Sequence, residues 1–272
     1  MTIAVVWQED GYQWCAADTR LVAGNADRPA TEIAAKIYSI PVAVSAMGTG
    51  FPRRPHYWTQ YGFVFAGAAL PAAMTAITAS TLLQKLTRPG DQTNPPVFEE
   101  IAEFIRRLSQ RFMAERRQFR SDGMFSAAFF GWCPHQQKYK LAHIDGRDDS
   151  GGFRVELTYP TPPQLDGDPW LVLGSGNRTF QSTLVQYRNT EEHITKRVPR
   201  RVIDKMVYEE SDRTVGGATS IGMAHQNGFD LYFTAEPIIR GQPAARRIFN
   251  GLDLDTEIGQ IGQYHVAING LA

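Results

Sequence analysis

The chain is poor in cysteine, with only Cys15 and Cys133 among its 272 residues. Neither has a second cysteine close enough in sequence to form a Cys-x-x-Cys pair, which argues against a zinc or dithiol redox centre of that kind. The six histidines show no spacing typical of a metal site, so we expect no metal and no cofactor. Two isolated cysteines are typical of a reducing compartment, and we expect a cytoplasmic protein.

Net charge is also lacking. Lysine and arginine together number 28, and aspartate and glutamate together number 28, so the formal charge is zero. A chain without a positive field has no general attraction for a phosphate backbone, and we expect no nucleic-acid partner.

Long, strongly apolar runs are missing too. The N-terminus turns acidic at Glu9 and Asp10 and has no basic stretch before an apolar one, so no secretory signal is expected. The longest uncharged run, residues 61–84, is interrupted by Pro71, and its second half consists largely of small and hydroxyl-bearing residues. This run predicts a buried strand over 63–66 and then a helix, and we expect no membrane partner.

What the chain does have is enough apolar material for a core, with 43% hydrophobic and 11% aromatic residues. Two β-rich runs around Glu9-Asp10-Gly11 predict an N-terminal hairpin. Residues 71–86 and 97–119 predict helices, the second from apolar residues recurring every three or four positions. The other predicted strands and helices, in chain order, are strands 36–40, 42–47, 124–132, 139–143 and 170–173, helices 177–188 and 190–210, and strands 218–224 and 229–235.

This order of strands, two helices, strands, two helices and strands predicts an α+β fold, a four-layer αββα sandwich in which helix pairs cover two stacked sheets. No linker divides the chain, so we expect a single domain over 1–272. Residues 48–60 are interpreted as a loop insertion, and the chain after about residue 235 as a C-terminal extension.

Several short motifs then resemble one family, the proteasome β-type subunits, which are N-terminal nucleophile hydrolases, and in particular their bacterial proteasome-related branch. The resemblance covers roughly residues 2–235, and neither the 48–60 loop nor the C-terminal extension has a counterpart in it. The motifs, in chain order, are Thr2-Ile3-Ala4-Val5, Ala16-Ala17-Asp18-Thr19-Arg20, Gly24-Asn25, Lys36-Ile37, Phe65-Ala66-Gly67-Ala68-Ala69, Leu173-Gly174-Ser175-Gly176 and Asp212-Arg213-Thr214-Val215-Gly216-Gly217.

The resemblance implies a threonine-type peptidase or amidohydrolase. A threonine hydroxyl needs a nearby base, and a free α-amino group, with a pKa of about 7.7–8.0, can serve near neutral pH. Removal of Met1 would give Thr2 both groups. The resemblance places Lys36 beside the Thr2 hydroxyl and pairs Asp18 with Lys36, with Arg20 in a supporting role. The alternatives for these residues are a strand-initial threonine, a structural salt bridge and a surface charge.

The same resemblance implies that Ser175 and Asp212 bind the terminal amine, and that Gly67 and Ala69 lie at the oxyanion and substrate-binding positions. The alternatives for the first two are a serine at a helix N-terminus and a solvent-exposed acid. Two departures stand out. Relatives usually carry a serine three residues after the aspartate, where this chain has Val215, and commonly a glycine where it has Ala69.

The implied partners are a peptide or protein substrate and further copies of the chain, in a ring or helical stack, with a regulatory ATPase left open. An inactive scaffold subunit with the same fold is the alternative function, because a retained Met1 would put the terminal amine one residue too far from the hydroxyl. An amidase for small non-peptide amides is a further alternative.

Overall fold

The chain divides into two compact units, which are described separately. A computed structural model describes residues 2–22, 28–46, 55–88, 94–119, 123–150, 152–189, 196–237 and 245–271. Unit 1 comprises Met1–Ile37, Pro163–Met223 and Asp230–Ala272, and unit 2 comprises Tyr38–Pro162 and Ala224–Phe229. The single domain expected over residues 1–272 stays a prediction.

The strands, numbered along the chain, are β1 (Ala4–Glu9), β2 (Tyr12–Asp18), β3 (Leu21–Val22), β4 (Pro29–Thr31), β5 (Ile37–Ala46), β6 (Pro55–Gly67), β7 (Leu86–Arg88), β8 (Phe125–Cys133), β9 (Lys138–Asp149), β10 (Gly152–Thr158), β11 (Pro169–Leu173), β12 (Thr219–His225), β13 (Gly228–Pro237), β14 (Ala245–Phe249), β15 (Leu252–Asp253), β16 (Gln260–Ile261), β17 (Tyr264–His265) and β18 (Gly270–Leu271). The helices are α1 (Ala69–Leu83), α2 (Phe98–Arg117), α3 (Asn177–Arg188), α4 (Val198–Glu209) and a π-helical turn (Leu254–Ile258).

Unit 1 is built around the hairpin of β1 and β2. The two central residues of its turn are Asp10 and Gly11, and both have a positive φ (54° and 76°). A two-residue hairpin turn requires such φ values to match the twist of the strands. The hairpin belongs to an eight-stranded sheet of order β11-β1-β2-β12-β13-β14-β15, in which β18 pairs with β13. One face of the hairpin buries Val5, Trp7 and Trp14 together with residues of α3 and α4. This packing holds one face of the hairpin against the two helices.

Unit 2 contains a six-stranded sheet of order β10-β9-β8-β6-β5-β7, on which α1 and α2 pack. Its core is rich in aromatic rings. Phe98 of α2 stacks on Phe129 of β8 with centroids 5.0 Å apart, and Tyr61 of β6 lies 5.0 Å from Phe129. The apolar face predicted for residues 97–119 therefore forms part of the core of this unit.

The predicted four-layer αββα sandwich is wrong. The structure is mostly β-sheet, with strand residues outnumbering helical ones and distributed over several sheets. The sequence interpretation ended the strands near residue 235, whereas β14 to β18 continue to Leu271, and it did not include β10 as a full strand. Strands of two or three residues leave no periodic signal, so the helical pattern received too much weight.

Two other predicted segments can be placed only in part. Residues 55–60 of the predicted 48–60 loop belong to β6, and 48–54 lie outside the described residues. The Gly24-Asn25 motif also lies outside them. Within the described ranges, no helix combines the length and apolarity needed to cross a bilayer, and His, Cys, Asp and Glu side chains form no cluster of three or more suited to a metal ion.

Candidate active site

The hairpin of unit 1 brings Thr2 and Asp18 to the same end of the sheet. In the β1–β2 register Ala4 faces Ala17, and the Asp18 amide donates to the Ile3 carbonyl at 3.3 Å. Thr2 immediately precedes β1 and Asp18 ends β2, so the two side chains meet. The Thr2 hydroxyl donates to Asp18 Oδ1 at 3.2 Å.

Lys36, the residue immediately before β5, completes this cluster. Its Nζ donates to Asp18 Oδ1 at 2.7 Å, to the Arg20 carbonyl at 2.5 Å and also to Thr2 Oγ1. The side chains of Lys36 and Asp18 are both 0% exposed, and Thr2 is 1% exposed. The structure therefore brings together three predicted site residues in a place shielded from water.

Backbone amides hold the Asp18 carboxylate in place. Oδ1 accepts from the Ile3 amide at 3.0 Å, and Oδ2 accepts from the amides of Arg20 and Gly216 at 3.3 and 3.2 Å. A buried carboxylate is costly unless it is paired and hydrogen-bonded, and here both oxygens have partners. Asp18 is thus a fixed acceptor toward which Lys36 points.

Burial lowers the pKa of Lys36 below its ordinary value, although the Asp18 charge and its hydrogen bond act in the opposite direction. An ammonium with a lowered pKa gives up its proton more readily than a solvated lysine. Beside a hydroxyl oxygen it can stabilise a developing alkoxide or relay a proton.

Arg20 joins the cluster to the loop after α4. Its Nε donates to the Glu32 carboxylate at 3.0 Å, and one of its terminal nitrogens donates to the carbonyls of Arg213 and Val215, each at 3.2 Å. The supporting role expected for Arg20 stays a prediction. Glu32 was not identified from the sequence, because no motif marks it.

Gly217 allows this loop to approach closely. It has a φ of +76°, and a Cβ placed there would lie 2.3 Å from the Glu32 carbonyl oxygen and 2.4 Å from Thr19 Oγ1. Both the backbone conformation and the available space require glycine. The Gly216-Gly217 pair that contributed to the resemblance thus has a local structural reason.

Ser175 and Asp212 meet through a residue that the sequence interpretation missed. Thr214 Oγ1 donates to Asp212 Oδ1 at 2.6 Å and lies 3.3 Å from Ser175 Oγ. The motif resemblance predicted a hydroxyl at the position of Val215, and Thr214 supplies one a single residue earlier. The threonine was visible in the motif Asp212-Arg213-Thr214-Val215, but spacing alone did not point to it.

The backbone links this second group to the first. The Gly176 amide donates to the Thr2 carbonyl at 3.4 Å. Among the described residues, no hydrogen bond connects Thr2 Oγ1 directly to Ser175 or Asp212. Their role toward a terminal amine therefore stays a prediction.

The predicted oxyanion and substrate-binding residues belong to unit 2. Gly67 ends β6 with a φ of +111°, and a Cβ there would lie 2.8 Å from the Met124 carbonyl oxygen, so the local backbone already requires glycine. Ala69 is the first residue of α1, in the turn whose amides have no partner within the helix. Their part in substrate binding stays a prediction.

Comparison with known proteins gives a likeness of fold. No protein-family model matches the chain, and no curated protein matches it in sequence. A similar solved structure is the Anbu (Gly-1) mutant from Hyphomicrobium sp. strain MC1, with a TM-score of 0.50 and 14% identity, over 85% of this chain and 84% of that chain. Anbu is a bacterial proteasome-like protein related to the N-terminal nucleophile hydrolases. At this identity the likeness concerns the fold alone, and it agrees with the proteasome-like resemblance of the motifs.

Proposed function

We propose that the chain is a threonine-type peptidase or amidohydrolase in which Thr2, after removal of Met1, is the nucleophile. The observation that carries this proposal is the buried contact between Lys36 Nζ and Thr2 Oγ1, with Asp18 hydrogen-bonded to both groups. A lysine ammonium placed on a threonine hydroxyl lowers the cost of forming an alkoxide there.

The base in this mechanism is the α-amino group that removal of Met1 exposes. With an ordinary pKa of about 7.7–8.0, it can accept the hydroxyl proton near neutral pH. A small second residue such as Thr2 generally permits removal of the initiator methionine. Nucleophile and base would then belong to one residue, and Asp212, Thr214 and Ser175 are proposed to orient the amine.

In the first step Thr2 Oγ1 attacks the carbonyl carbon of the substrate while the hydroxyl proton passes to the α-amine. The carbonyl oxygen takes the negative charge. We assign the hydrogen bonds that stabilise this charge to backbone amides near Gly67 and Ala69. The C–N bond then breaks, the departing amine takes the proton, and an ester of Thr2 remains. Water then attacks the ester carbonyl carbon while the α-amine takes its proton. The bond to Thr2 Oγ1 breaks, this oxygen receives the proton back from the amine, and the acid is released.

Lys36 and Asp18 act on Thr2 without reacting with the substrate. The positive charge of Lys36 stabilises the oxygen as it loses its proton, and Asp18 holds the ammonium in place. We further propose a peptide or protein substrate, a cytoplasmic location and a homo-oligomeric assembly. The motif resemblance supports the substrate and the assembly, and the two isolated cysteines support the location.

The second candidate is a noncatalytic scaffold subunit. The near-complete burial of Thr2, which is 1% exposed, favours it. If Met1 is retained, the terminal amine lies one residue too far from the Thr2 hydroxyl to act as its base, and the pair of Asp18 and Lys36 is then a structural salt bridge.

Replacement of the hydroxyl separates the two candidates. Thr2→Ala removes the nucleophile and Thr2→Ser keeps one, while both still allow Met1 removal. Hydrolysis of a panel of fluorogenic peptides and small amides should be lost in Thr2→Ala, partly retained in Thr2→Ser and unchanged in Thr81→Ala, an exposed threonine of α1. Equal hydrolysis by wild type and Thr2→Ala would overturn the assignment. Undetectable hydrolysis by a wild type that retains Met1 would favour the scaffold.

A further inference from the structure

Glu32 lies outside every motif of the resemblance, yet it is held against the end of β2 from two sides. Its backbone carbonyl accepts a hydrogen bond from the Thr19 hydroxyl, whose oxygen in turn accepts from the Ala218 amide at 2.8 Å. Its carboxylate lies with both oxygens 3.0 Å from Arg20 Nε. Backbone and side chain of Glu32 are therefore both fixed relative to the strand that carries Asp18.

Arg20, the partner of Glu32, contacts the reacting cluster through its backbone. Its carbonyl accepts from Lys36 Nζ at 2.5 Å, and its amide donates to Asp18 Oδ2 at 3.3 Å. A shift of this backbone would move the acceptor of the ammonium and a donor to the carboxylate at the same time. The position of Arg20 therefore helps to set the position of Lys36 beside Thr2.

The guanidinium of Arg20 reaches the second part of the candidate site. One terminal nitrogen donates to the carbonyls of Arg213 and Val215, the residues on either side of Thr214. The guanidinium fits closely here, since a Cβ on Gly216 would lie 2.3 Å from Arg20 Cζ. One side chain thus joins the backbone beside Lys36 to the loop that carries Thr214.

The Glu32 carboxylate also acts on Lys36 through its charge. Burial lowers the pKa of Lys36 most strongly, Asp18 and Glu32 raise this pKa, and the charge of Arg20 lowers it further. The other acid near Arg20 is Glu210, which lies 3.9 Å away and is 75% exposed, so solvent screens its charge. Without Glu32, the positive charge of Arg20 would face an already buried ammonium with little to balance it.

We propose that Glu32 is a positioning residue of the Thr2 site, acting through Arg20, whose guanidinium it holds in place and whose positive charge it balances. An ion pair in which the acid is 41% exposed adds little to stability, so the pair is expected to matter more for the site than for the fold. The expected effect of Glu32 on catalysis rests on the proposed function, whereas its effect on Lys36 does not.

Titration of Lys36 in the full-length protein tests the charge effect without a substrate. Lys36 is one of six lysines, and its signal in NMR spectra of protein with isotope-labelled lysine is assigned by its absence in Lys36→Met. In Glu32→Gln the midpoint of this titration should lie at lower pH than in wild type. Glu103→Gln is the matched control, because Glu103 is 46% exposed and also pairs with an arginine, Arg106, but in unit 2. It should keep the wild-type midpoint.

Kinetics test the effect on position. Glu32→Gln should lower kcat/KM for the best peptide substrate about tenfold, because a small displacement of catalytic groups slows the reaction. The alkaline limb of its pH profile should lie at lower pH, since Lys36 loses its charge earlier. Glu32→Asp keeps the negative charge and should keep the wild-type alkaline limb. Glu103→Gln should match wild type in both respects.

Circular dichroism shows whether the variants fold. Should Glu32→Gln misfold, Arg20→Gln takes its place and should move the Lys36 midpoint to higher pH, because it removes a positive charge. An unchanged midpoint in Glu32→Gln, an equal shift in Glu103→Gln or a downward shift in Arg20→Gln overturns the charge effect. A kcat/KM of Glu32→Gln within about twofold of wild type overturns the positioning role. If the midpoint moves as expected but wild type hydrolyses no substrate, the proposed function fails and the action of Glu32 on Lys36 is supported.

Discussion

The two units bury different kinds of residue. Unit 1 encloses an ion pair, Asp18 and Lys36, among hydroxyl groups and backbone amides at the end of a hairpin. Unit 2 encloses stacked and tilted aromatic rings around Phe129, and its helix hydroxyls are satisfied locally, as Thr75 is by the Pro71 carbonyl.

The two kinds of buried residue contribute differently to stability. A buried ion pair contributes little net stability, since desolvation opposes the attraction of the charges, and it needs a further reason to be present. A closely packed aromatic core is strongly stabilising. Substitutions at the pair in unit 1 are therefore expected to lower activity in addition to the cost of leaving one buried charge unpaired, whereas substitutions in the core of unit 2 should lower stability alone.

The largest effect is expected from Lys36→Met. Loss of the ammonium at Thr2 should lower kcat/KM for the best peptide substrate by about a thousandfold, within the range for loss of a group assisting proton transfer. Lys140→Met is the matched control, since Lys140 also forms an ion pair, with Glu99, but does so in unit 2. If the kcat/KM of Lys36→Met lies within about twofold of the wild-type value, Lys36 does not assist the reaction of Thr2.

Phe129→Ala tests the stability side. Phe129 is fully buried, and its truncation should lower the free energy of unfolding by about 3–5 kcal/mol in urea titrations. Below the unfolding temperature, kcat should stay near that of wild type. Trp58→Ala, an exposed ring on β6, should change stability by only about 0.5 kcal/mol. Equal losses in the two variants would contradict the importance of the aromatic core.

The pH dependence of stability tests the buried pair of Asp18 and Lys36. Because burial lowers the pKa of Lys36 in the folded chain, the unfolded chain binds more protons between that lowered pKa and about 10.4. The contribution of Lys36 to stability therefore rises with pH through this window. Urea unfolding of wild type and Lys36→Met from neutral pH toward pH 10 should show wild type gaining relative to the variant. If wild type instead loses stability relative to Lys36→Met as the pH rises, the pKa of Lys36 is raised in the folded chain.

The smallest effect is expected from Thr214→Val, which removes the hydroxyl between Asp212 and Ser175 but keeps the shape of the side chain. Loss of one hydrogen bond of about 1 kcal/mol should lower kcat/KM about fivefold. Thr214→Ser should restore activity. If Val and Ser behave alike, Thr214 does not position Asp212.

Much of the local structure could be predicted from the sequence where the signal is periodic. The prediction of a helix over 97–119 is close to α2, and the Asp10-Gly11 turn marked the first hairpin. The layer arrangement could not be predicted, because β14 to β18 are short and have no alternating pattern. Residues 190–195, at the start of the last predicted helix, lie outside the described residues, and α4 begins at Val198.

The candidate site could be predicted only through the resemblance. Thr2, Asp18 and Lys36 are far apart in sequence, and no spacing rule brings them together. Their contact depends on the hairpin register and on the position of β5. Thr214 and Glu32 were missed because their roles arise from one hydrogen bond and one ion pair.

Intact mass combined with covalent labelling of the native protein tests the central claim most directly. The account predicts a chain that lacks Met1 and that gains one adduct with a β-lactone, mapped by peptide sequencing to Thr2 and absent in Thr2→Ala. A chain that has lost Met1 but takes up no label at Thr2, or takes it up equally in Thr2→Ala, would contradict it.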